Sequence, residues 1–472
     1  MRMINAVYEA LAGKPVYVVG GAVRDLVLGR KNTRDIDLLL PAADADAIRI
    51  ALATVIGTTP YPLKADQGLY RFQSKESGLK IDVAPYHGGV GENMAGRDFT
   101  QNAMAMTLDD FAAGKKDGLI DPYGGSTDIL SRRLRMVAPS VFRDDPVRIL
   151  RAARFCSELG MEPAADLLGA ARDGARGLRS CAGERVWAEL VRILVSASAP
   201  GALDFLEGVS AQAVLFPELE AEREITQGQH HSYCVYEHSR RVFDAFVALW
   251  HKPDVFSERL TPLISQQLSE LSPGLVAACM LGGLLHDIGK PAARTHRDNG
   301  RISFYRHEHL GAAMAPPIAQ RLRMSKTEGR AMVNFIRLHT LPTQVARISK
   351  RGDVHMHRLG RRLGMLSVPM SLFTIADLMG KAPEACQGKE FDQMMEALRH
   401  FLEAWFFRYD EIMAPGMPVD GEDIANHLEL TPGKWLRETL DHLTELQAAG
   451  AALNREGALR EAEKFMSRYK KK

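Results

Sequence analysis

The alternation of apolar and polar residues divides the chain into two parts. Between residues 15 and 41, the apolar runs VYVVG and DIDLLL flank a glycine turn and a short amphipathic segment, which predicts a strand, a helix and a strand. Further short strands are predicted at 70–73, 79–84 and 103–108. From about Val141 the apolar positions recur at helical spacing, interrupted by glycine and proline. The pattern therefore predicts a mixed α/β head followed by an all-helical body.

The composition is that of an ordinary globular protein, with 472 residues, 46% of them hydrophobic and 25% charged. At roughly 150 residues per domain, this length predicts about three domains. The net charge of +2 comes from 60 basic and 58 acidic residues, so the total charge identifies no partner. Any argument for nucleic-acid binding must therefore come from local clusters.

The cysteines and the hydropathy pattern indicate where the protein works. Five widely spaced cysteines without a C-x-x-C pair predict neither a disulfide framework nor a thiolate zinc site, and they fit a reducing compartment. The N-terminal segment has no sustained apolar core, and the most apolar later stretch, 275–285, is too short to cross a bilayer. We therefore expect a cytoplasmic protein with no signal peptide, no transmembrane helix and no membrane partner.

Candidate chemistry in the head begins at the glycine turn GGAVRD, residues 20–25. Backbone amides at such a turn can hold an anion, and Arg24 can add charge-assisted hydrogen bonds, although a glycine pair is more often only a turn. Asp35 and Asp37 follow at the start of the second strand, where side chains two residues apart point the same way. Paired carboxylates suit Mg²⁺ ions that stabilise phosphoryl transfer, while an isolated D-x-D is equally consistent with a solvated strand edge.

The segment 144–155 is predicted to form one helix, with Asp144, Arg148 and Arg151 on one face and Asp145 at its edge. A solvated row of salt bridges would look the same. Cytosine and adenine, however, both pair an exocyclic amino donor with a ring-nitrogen acceptor, whereas guanine and uracil present a carbonyl beside an N–H group. One carboxylate and one arginine would therefore select C and A without a nucleic-acid template.

The motifs GGAVRD, DID, RDFTQNAMA, DPYGG and RDDPVRILRAARF occur in this order and resemble the class II tRNA nucleotidyltransferase and poly(A) polymerase family over about residues 14–195. The resemblance implies an α+β fold, with a polymerase β-type nucleotidyltransferase head followed by an all-helical neck, HD domain and tail. It implies a catalytic Mg²⁺ site at Asp35 and Asp37, with Asp82 as a third carboxylate. It also assigns nine nucleotide-binding residues: Gly21, Arg24, Arg97, Asp98, Asn102, Asp145, Arg148, Arg151 and Arg154. Of these, Asp145 and Arg148 would read the base.

Three departures from the family pattern bear on which nucleotides are added. Gly96 replaces a second basic residue, which would weaken triphosphate contacts, and Asp144 replaces a glutamate. Only residues 84–96 link the Asp82 strand to Arg97, and family members that add part of the CCA end can have shortened loops here. Addition of the full CCA end, of CC only or of A only therefore stays open. The absence of a G-R-R-F-like segment argues against poly(A) synthesis.

The helical body contains a second set of candidate ligands. His286 and Asp287 follow an apolar run that is expected to be buried, and Asp377 lies in another such run. Buried polar and charged side chains are costly unless they have partners, so these three residues are expected to have them. With His238 they form a mixed nitrogen and oxygen set that suits a divalent metal with positions open to water. The order H…HD…D resembles the HD superfamily of metal-dependent phosphohydrolases over about residues 228–385.

The HD resemblance adds His307 and His339 as accessory positions and implies phosphatase, 2′-nucleotidase or 2′,3′-cyclic phosphodiesterase activity with a divalent metal of unspecified identity. The alternative is a metal-free helical domain that only docks tRNA. The last section resembles the tail of the same family. Its basic residues could follow an RNA backbone or belong to a solvated face; they are Lys434, Arg437, Arg455, Arg460, Lys464 and Arg468.

The sequence thus predicts four segments: a nucleotidyltransferase head at 1–140, a base-reading and RNA-binding neck at 141–225, an HD phosphohydrolase domain at 226–397 and a helical tail at 398–472. We expect an enzyme that adds C and/or A to the tRNA 3′ end from CTP and ATP with Mg²⁺. The alternatives are a partial, CC-only or A-only enzyme, a poly(A) polymerase and a non-enzymatic RNA-binding module.

Overall fold

The computed structural model describes residues 2–30, 34–74, 76–226, 233–296, 302–346, 352–381 and 386–469. The chain separates into two compact units. The first unit comprises Met1–Glu189 and Gly201–Leu215, and the second comprises Leu190–Pro200 and Phe216–Lys472. The head and most of the neck predicted from the sequence fall in the first unit, and the HD and tail segments fall in the second.

Six strands form the sheet of the first unit: β1 (Tyr17–Val19), β2 (Asp35–Pro41), β3 (Tyr61–Lys64), β4 (Leu69–Gln73), β5 (Lys80–Tyr86) and β6 (Ala105–Thr107). Their order is β3-β4-β5-β2-β1-β6, with β2 parallel to β5 and the other neighbours antiparallel. The sequence did not predict β3, because all four of its residues are exposed and show no alternation. A separate two-stranded pair consists of β7 (Arg133–Leu134) and β8 (Glu162–Pro163).

The helices up to residue 215 are α1 (Arg2–Leu11), α2 (Gly21–Val27), α3 (Ala45–Ile56), α4 (Val90–Met94), α5 (Leu108–Ala113), α6 (Gly125–Leu130), α7 (Val141–Asp144), α8 (Arg148–Leu159), α9 (Ala165–Gly174), α10 (Gly183–Leu194), α11 (Ala199–Gly208) and α12 (Ala211–Leu215). Short 3₁₀ turns occur at Ala65–Gln67, Thr100–Asn102 and Ala175–Ser180. Part of the core lies between the sheet and α4, where Val19, Leu39, Met94 and Ala105 pack together.

The prediction of one continuous helix over 144–155 is wrong. Helix α7 ends at Asp144, α8 begins at Arg148, and Asp145 between them has the extended dihedrals φ −151° and ψ 95°. The cause is Pro146, because a proline disfavours helical dihedrals in the residue before it. The carboxylate predicted to read the base is therefore placed by a turn rather than by a helical face.

The second unit is helical, as predicted, apart from the short hairpin β9 (Thr295–His296) and β10 (Ile302–Ser303). Its helices are α13 (Pro217–Glu220), α14 (Val235–His251), α15 (Thr261–Ser269), α16 (Pro273–Leu284), α17 (Lys290–Ala293), α18 (His307–Arg321), α19 (Lys326–Leu338), α20 (Leu341–Ala346), α21 (Asp353–Leu363), α22 (Ser367–Met379), α23 (Lys389–Phe407), α24 (Gly421–His427), α25 (Lys434–Ala448) and α26 (Arg455–Tyr469). A 3₁₀ turn at Gly364–Leu366 joins α21 to α22, and a π-helical turn at Tyr409–Met413 follows α23.

Helices α14, α16, α19 and α22 form the centre of the second unit. Helix α16 is buried at every residue from 276 to 284, and Phe246, Phe335 and Phe373 pack edge to face around it. Among the described residues, one helical stretch, 353–379, is long and apolar enough to cross a membrane. It comprises α21 and α22, and 67% of its apolar window is buried, as in a core helix.

Candidate active sites

The first candidate site lies where β2 and β5 run side by side. Ile36 and Leu38 are buried, whereas Asp35 and Asp37 point to the opposite face of β2, as the sequence predicts. Asp82 on β5 is the direct register partner of Asp37. Burial raises the pKa of Asp37, and the two other carboxylates add to this shift. A bound Mg²⁺ would offset their mutual repulsion, so this donor set fits the ion.

Asp82 differs from the other two carboxylates because it already has a partner. Its two oxygens accept hydrogen bonds from Nε and Nη2 of Arg71, both at 2.6 Å, and the two residues face each other across β4 and β5. This bidentate ion pair offsets the charge of Asp82 and occupies one lone pair on each of its oxygens. The geometry therefore favours Asp35 and Asp37 as the metal-binding pair, with Asp82 held by Arg71.

A glycine is required at position 20, beside the carboxylate pair. Gly20 has φ +72°, and a Cβ there would lie 2.7 Å from Nη1 of Arg97 and 3.1 Å from Oδ2 of Asp37. Arg97 Nη1 is itself 3.7 Å from Asp37 Oδ2. The sequence prediction selected Gly21, where a Cβ would come no closer than 3.5 Å to the flexible Arg24 side chain. Gly20 thus lies against two of the predicted site residues, and the prediction named Gly21 in its place, although the double glycine contained the signal.

Four of the residues assigned to nucleotide binding form one hydrogen-bonded chain. Nη1 of Arg24 donates to Oδ1 of Asn102 at 2.8 Å, and Nδ2 of Asn102 donates to Oδ1 of Asp98 at 3.0 Å. Nε of Arg151 donates to the other oxygen of Asp98 at 2.7 Å. Burial alone would raise the pKa of Asp98, but Arg151 and Asn102 hold it below its ordinary value. The chain fixes two arginines around one buried carboxylate.

Two further residues, which the sequence analysis missed, position these arginines. Glu189 lies 3.5 Å from Nη1 of Arg151 and 3.2 Å from Nε of Arg154. The guanidinium carbons of Arg24, Arg151 and Arg154 lie 5.3, 5.5 and 4.5 Å from the centre of the Phe155 ring. Phe155 is 3% exposed, so a buried aromatic face supports three cations.

The residues predicted to read the base are in contact with protein groups. Oδ2 of Asp145 accepts a 2.6 Å hydrogen bond from Nη2 of Arg185 and lies 3.9 Å from Nε of Arg148. The other Asp145 oxygen accepts from the Val147 backbone N–H at 3.3 Å, and Arg148 donates to the Gly96 carbonyl at 3.0 Å. A bound base would therefore share these groups with their protein partners or displace those partners. Arg185 was not predicted.

The second candidate site gathers six predicted residues from five helical elements of the second unit. Nε2 of His238 lies 3.1 Å from Oδ1 of Asp377 and 3.6 Å from Oδ2 of Asp287. Nε2 of His286 lies 3.1 Å from the same Asp287 oxygen. His238 comes from α14 and Asp377 from α22, whereas His286 and Asp287 follow the end of α16. Buried helix packing therefore places the whole H…HD…D set together.

His307 and His339 complete the cluster on the other side of Asp287. Nε2 of His307 lies 3.2 Å from Oδ1 of Asp287 and 3.2 Å from Nε2 of His339. Asp287 thus belongs to two triads, one with His238 and His286 and one with His307 and His339, and within each triad the ligand atoms lie within 4.8 Å of one another. The arrangement provides two adjacent cation positions bridged by one carboxylate.

The backbone fixes the orientation of every histidine in this cluster. Each Nδ1 lies 2.7–3.1 Å from a carbonyl oxygen, that of Gly380, Gly283, Phe304 or Ile336 for His238, His286, His307 and His339 respectively. A carbonyl can only accept, so each Nδ1 donates and each Nε2 lone pair faces the centre. Nε2 of His286 is buried without a hydrogen-bond partner among the described residues, as expected for a group that binds a metal.

The protonation states also suit metal binding. Burial would raise the pKa values of Asp287 and Asp377, but neighbouring histidine and lysine side chains hold both well below the ordinary value. Burial lowers the pKa of His238 and lowers that of His339 to about 3. The carboxylates are therefore charged and these imidazoles neutral at pH 7. The donors fit a divalent cation, and the sequence prediction of a divalent metal is supported without fixing its identity.

These two sites define a class of protein with a nucleotidyl-transfer head and a separate metal-dependent HD centre. Comparison with known families agrees with this class. The profile of the Poly A polymerase head domain matches residues 16–135, and that of the HD domain matches residues 235–378. The first range includes the Asp35 and Asp37 pair, and the second includes the histidine cluster.

Three curated relatives cover nearly all of the chain. An A-adding tRNA nucleotidyltransferase of Deinococcus radiodurans is 30% identical over 460 residues, which are 96% of this chain and 95% of the relative. A CC-adding tRNA nucleotidyltransferase of Thermus thermophilus is 28% identical over 96% and 93% of the two chains. A multifunctional CCA protein of Xanthomonas campestris pv. campestris is 30% identical over 87% and 96%. The chain belongs to the tRNA nucleotidyltransferase family and is an enzyme.

Solved structures agree on the fold. A CCA-adding enzyme in an apo form aligns with a TM-score of 0.63 at 18% identity and covers 98% of this chain and 93% of its own. A Thermotoga maritima CCA-adding enzyme complexed with tRNA aligns with a TM-score of 0.59 at 18% identity, over 98% and 95% of the two chains. The predicted α+β fold, with a polymerase-type head followed by an HD domain, is confirmed.

Proposed function

We propose that this protein adds C and/or A residues to the 3′ end of tRNA, using CTP and ATP with Mg²⁺ and no nucleic-acid template. The observation that carries the proposal is the Asp35 and Asp37 pair on one face of β2, beside the Gly20 turn and Arg97. The family supplies the substrate class: relatives that match over nearly their whole length are named as an A-adding tRNA nucleotidyltransferase and a multifunctional CCA protein.

In the proposed reaction, Asp35 and Asp37 hold the Mg²⁺ ions, which stabilise charge on the attacking and leaving oxygens when bound. Arg24, Arg97 and Arg151 bind the triphosphate oxygens. The 3′-hydroxyl of the tRNA attacks the α-phosphate, the bond to the β-phosphate breaks and pyrophosphate leaves. The role of the protein is mainly to position and to neutralise charge, since phosphoryl transfer requires little covalent participation.

Base selection is assigned to Asp145 and Arg148. The carboxylate accepts the exocyclic amino group of C or A, and the guanidinium donates to the adjacent ring nitrogen. Guanine and uracil present the reverse pattern and would leave both groups unpaired, which costs binding free energy. Arg185 already donates to Oδ2 of Asp145, so a bound base either shares the carboxylate with Arg185 or displaces it.

One incubation series decides which nucleotides are added. Three tRNAs, ending before CCA, after C and after CC, are each supplied with CTP alone, ATP alone or both. Full CCA addition predicts two C additions followed by one A, whereas the A-only and CC-only alternatives each leave one step missing. Extension of an unstructured RNA by many A residues from ATP alone would instead identify a poly(A) polymerase. If no tRNA is extended, the proposal fails.

We also propose that the HD centre hydrolyses phosphoesters at RNA 3′ ends, as a phosphatase, 2′-nucleotidase or 2′,3′-cyclic phosphodiesterase. The support is the cluster in which burial keeps His238 and His339 neutral, Asp287 and Asp377 are charged, and the ligand atoms of each triad lie within 4.8 Å of one another. Hydrolysis of a nucleoside 2′,3′-cyclic phosphate is measured with Mn²⁺, Ni²⁺, Co²⁺, Zn²⁺ or Mg²⁺ added to metal-stripped protein. Activity that no metal restores would remove the proposal and favour the metal-free docking domain.

The four segments predicted from the sequence are proposed to divide these roles, with the head and neck performing nucleotide addition, the HD segment hydrolysis and the tail contacting tRNA. In the tail, Arg455 pairs with Asp423 through two hydrogen bonds, and Arg460 and Lys464 pair with glutamates in their own helix. Lys434 also pairs with a glutamate of its own helix, Glu438 at 3.4 Å, but its side chain is 87% exposed, so this surface pair leaves it accessible to RNA. We place the protein in the cytoplasm, where its tRNA substrates and nucleotides occur.

A further inference from the structure

We call the less exposed side chains of the HD centre its sealed side and the more exposed ones its open side. Its sealed side consists of side chains that are 1–5% exposed, namely His238, His286, Asp287 and His339. On the other side, exposure rises to 15% for His307, 18% for Asp377 and 27% for Lys381. Of these residues, His307, Asp377 and Lys381 are therefore the most accessible to a substrate.

Lys381 contacts one carboxylate oxygen of Asp377, and the other oxygen of Asp377 contacts His238 within the centre. Its Nζ is 2.8 Å from Oδ2 of Asp377, and Oδ1 of Asp377 is 3.1 Å from Nε2 of His238. The preceding residue, Gly380, is held against α14, because a Cβ there would overlap Val242 and its carbonyl accepts from Nδ1 of His238. The backbone that carries Lys381 is thus fixed at the open side.

A second lysine, Lys290, also forms an ion pair with a carboxylate of the centre, but its partner is Asp287 rather than Asp377. Its Nζ lies 2.6 Å from Oδ2 of Asp287, and its side chain is 11% exposed. Lys290 therefore lies on the sealed side and serves as a counter-charge for a buried carboxylate. Lys381 is the more exposed of the two and has the flexible stem and rotatable ammonium that suit a phosphate contact.

We propose that Lys381 binds the phosphoryl oxygens of the substrate at the open side of the HD centre. This inference rests on the phosphohydrolase function proposed above and assigns the centre an anionic phosphoester rather than a neutral substrate. An ammonium that shares Asp377 with a divalent ion is repelled by that ion. A phosphoryl anion placed between the two cations relieves the repulsion, and it gains a charge-assisted hydrogen bond from Lys381.

The alternative role for Lys381 is that of a counter-charge that only keeps Asp377 ionised. The two roles differ in what a neutral replacement changes. A counter-charge role predicts altered metal retention without a specific effect on phosphate, whereas a substrate role predicts weakened phosphate binding at full metal occupancy. Lys252 provides a matched control, since it is 81% exposed and pairs with Asp254 at 3.3 Å.

The test compares the full-length wild-type protein with Lys381→Gln, Lys381→Arg and Lys252→Gln, each loaded with Mn²⁺. Metal content is measured by mass spectrometry, inorganic phosphate binding by calorimetry, and hydrolysis of a nucleoside 2′,3′-cyclic phosphate as separate kcat and KM values. We expect Lys381→Gln to weaken phosphate binding and raise KM by roughly tenfold or more, the size of one charge-assisted hydrogen bond, with metal content unchanged. Lys381→Arg should retain most of the affinity, and Lys252→Gln should match the wild type.

Two results would overturn the inference: phosphate binding that is the same in Lys381→Gln and wild type, or a loss of phosphate binding that only follows a loss of Mn²⁺. A wild-type protein that binds Mn²⁺ but no phosphate would overturn it as well. If the wild type binds phosphate yet hydrolyses no phosphoester, the proposed HD activity fails, but the phosphate titration still decides the role of Lys381.

Discussion

The two sites of this enzyme hold their charged groups in different ways. In the HD centre, four imidazoles are locked by backbone carbonyls and two buried carboxylates face them, so the ligand atoms already point inward. In the head, Asp35 is exposed and Asp37 is half-exposed, and arginines form ion pairs with Asp82, Asp98 and Asp145. The ligand atoms of the HD centre are therefore preset for an ion, whereas most of the charged groups of the head site are already paired with one another.

This difference follows from where each site lies. Buried polar groups have to be satisfied during folding, so the HD ligands are fixed by the packing of α14, α16 and α22. The head site lies at one face of a sheet, where water and arginine side chains can satisfy its carboxylates until nucleotide arrives. We therefore expect substitutions in the HD centre to affect metal retention and stability, and substitutions in the head to affect nucleotide binding and transfer.

The largest expected effect is the separation of the two activities. Asp37→Asn should reduce nucleotide addition by about 10³-fold or more, because it removes a charged ligand of the catalytic ions, and should leave hydrolysis unchanged. Asp287→Asn should abolish hydrolysis and reduce metal content, because both triads include Asp287, while nucleotide addition continues. Radiolabelled nucleotide incorporation and cyclic phosphate hydrolysis measure both activities on the same preparation.

The exposed Asp44, which lies between β2 and α3, supplies the control, and Asp44→Asn should keep both activities. If Asp37→Asn also removed hydrolysis, the two sites would not be independent and the comparison between them would lose its basis.

A smaller loss is expected from Gly20→Ala. The added methyl group would lie 2.7 Å from Nη1 of Arg97 in a residue with φ +72°, so Arg97 must move away from Asp37. We expect kcat/KM for CTP and ATP to fall by about 10- to 100-fold, an effect of about 1.4–2.7 kcal/mol. Gly29→Ala is the control, because Gly29 has φ +74° with nothing within 4 Å of an added Cβ. Equal losses in both variants would show that strain, not the position of Arg97, is the cause.

Local rules explain why part of each site was predictable. The period of two along a strand places Asp35 and Asp37 on one face, and a His-Asp pair after an apolar run must find partners in a buried environment. The same kind of rule was available at Asp145, where Pro146 breaks the helix, but the helical spacing of the neighbouring arginines outweighed it.

The remaining contacts depend on packing between distant elements, which no local pattern encodes. Arg185 meets Asp145 across 40 residues of sequence, and Glu189 meets Arg151 across 38. On α10 each of these side chains follows the ordinary pattern of a charged helix face. Their contacts become visible only once α10 is placed against the turn before α8, so the sequence analysis did not name Arg185 or Glu189.

The next effect tests this positioning. Glu189→Gln should reduce kcat/KM for nucleotides by about tenfold, because Arg151 and Arg154 lose the carboxylate that orients them, and such hydrogen bonds contribute about 1.5–3 kcal/mol. The change should appear mainly in KM for CTP and ATP. Glu158→Gln removes only the exposed contact of Arg154, at 3.3 Å, and should change kcat/KM by less than about twofold. Equal effects of the two variants would contradict the role of Glu189.

The smallest effect concerns the acid sensitivity of the metal-free HD centre. Burial, with His286 and His307 nearby, lowers the pKa of His339 to about 3, below its ordinary value of 6.5, whereas Asp287 acts in the opposite direction. The neutral form therefore contributes stability that is complete above pH 6.5 and is lost as the pH falls toward 3. At pH 5.5 the expected loss is about 1 kcal/mol. His307, whose pKa is raised, contributes with the opposite sign, so a single variant is needed to isolate His339.

Chemical denaturation of metal-stripped wild type and His339→Asn, at pH 7 and pH 5.5, measures this difference. The free energy of unfolding should fall more for the wild type than for the variant, by about 1 kcal/mol, because only the wild type loses the His339 contribution. Bound Mn²⁺ should suppress the difference, since a coordinated imidazole cannot take up a proton. An equal fall in both proteins would mean that His339 titrates as it does in water, and the cluster would then lack the preset, ligand-ready protonation that distinguishes it from the head site.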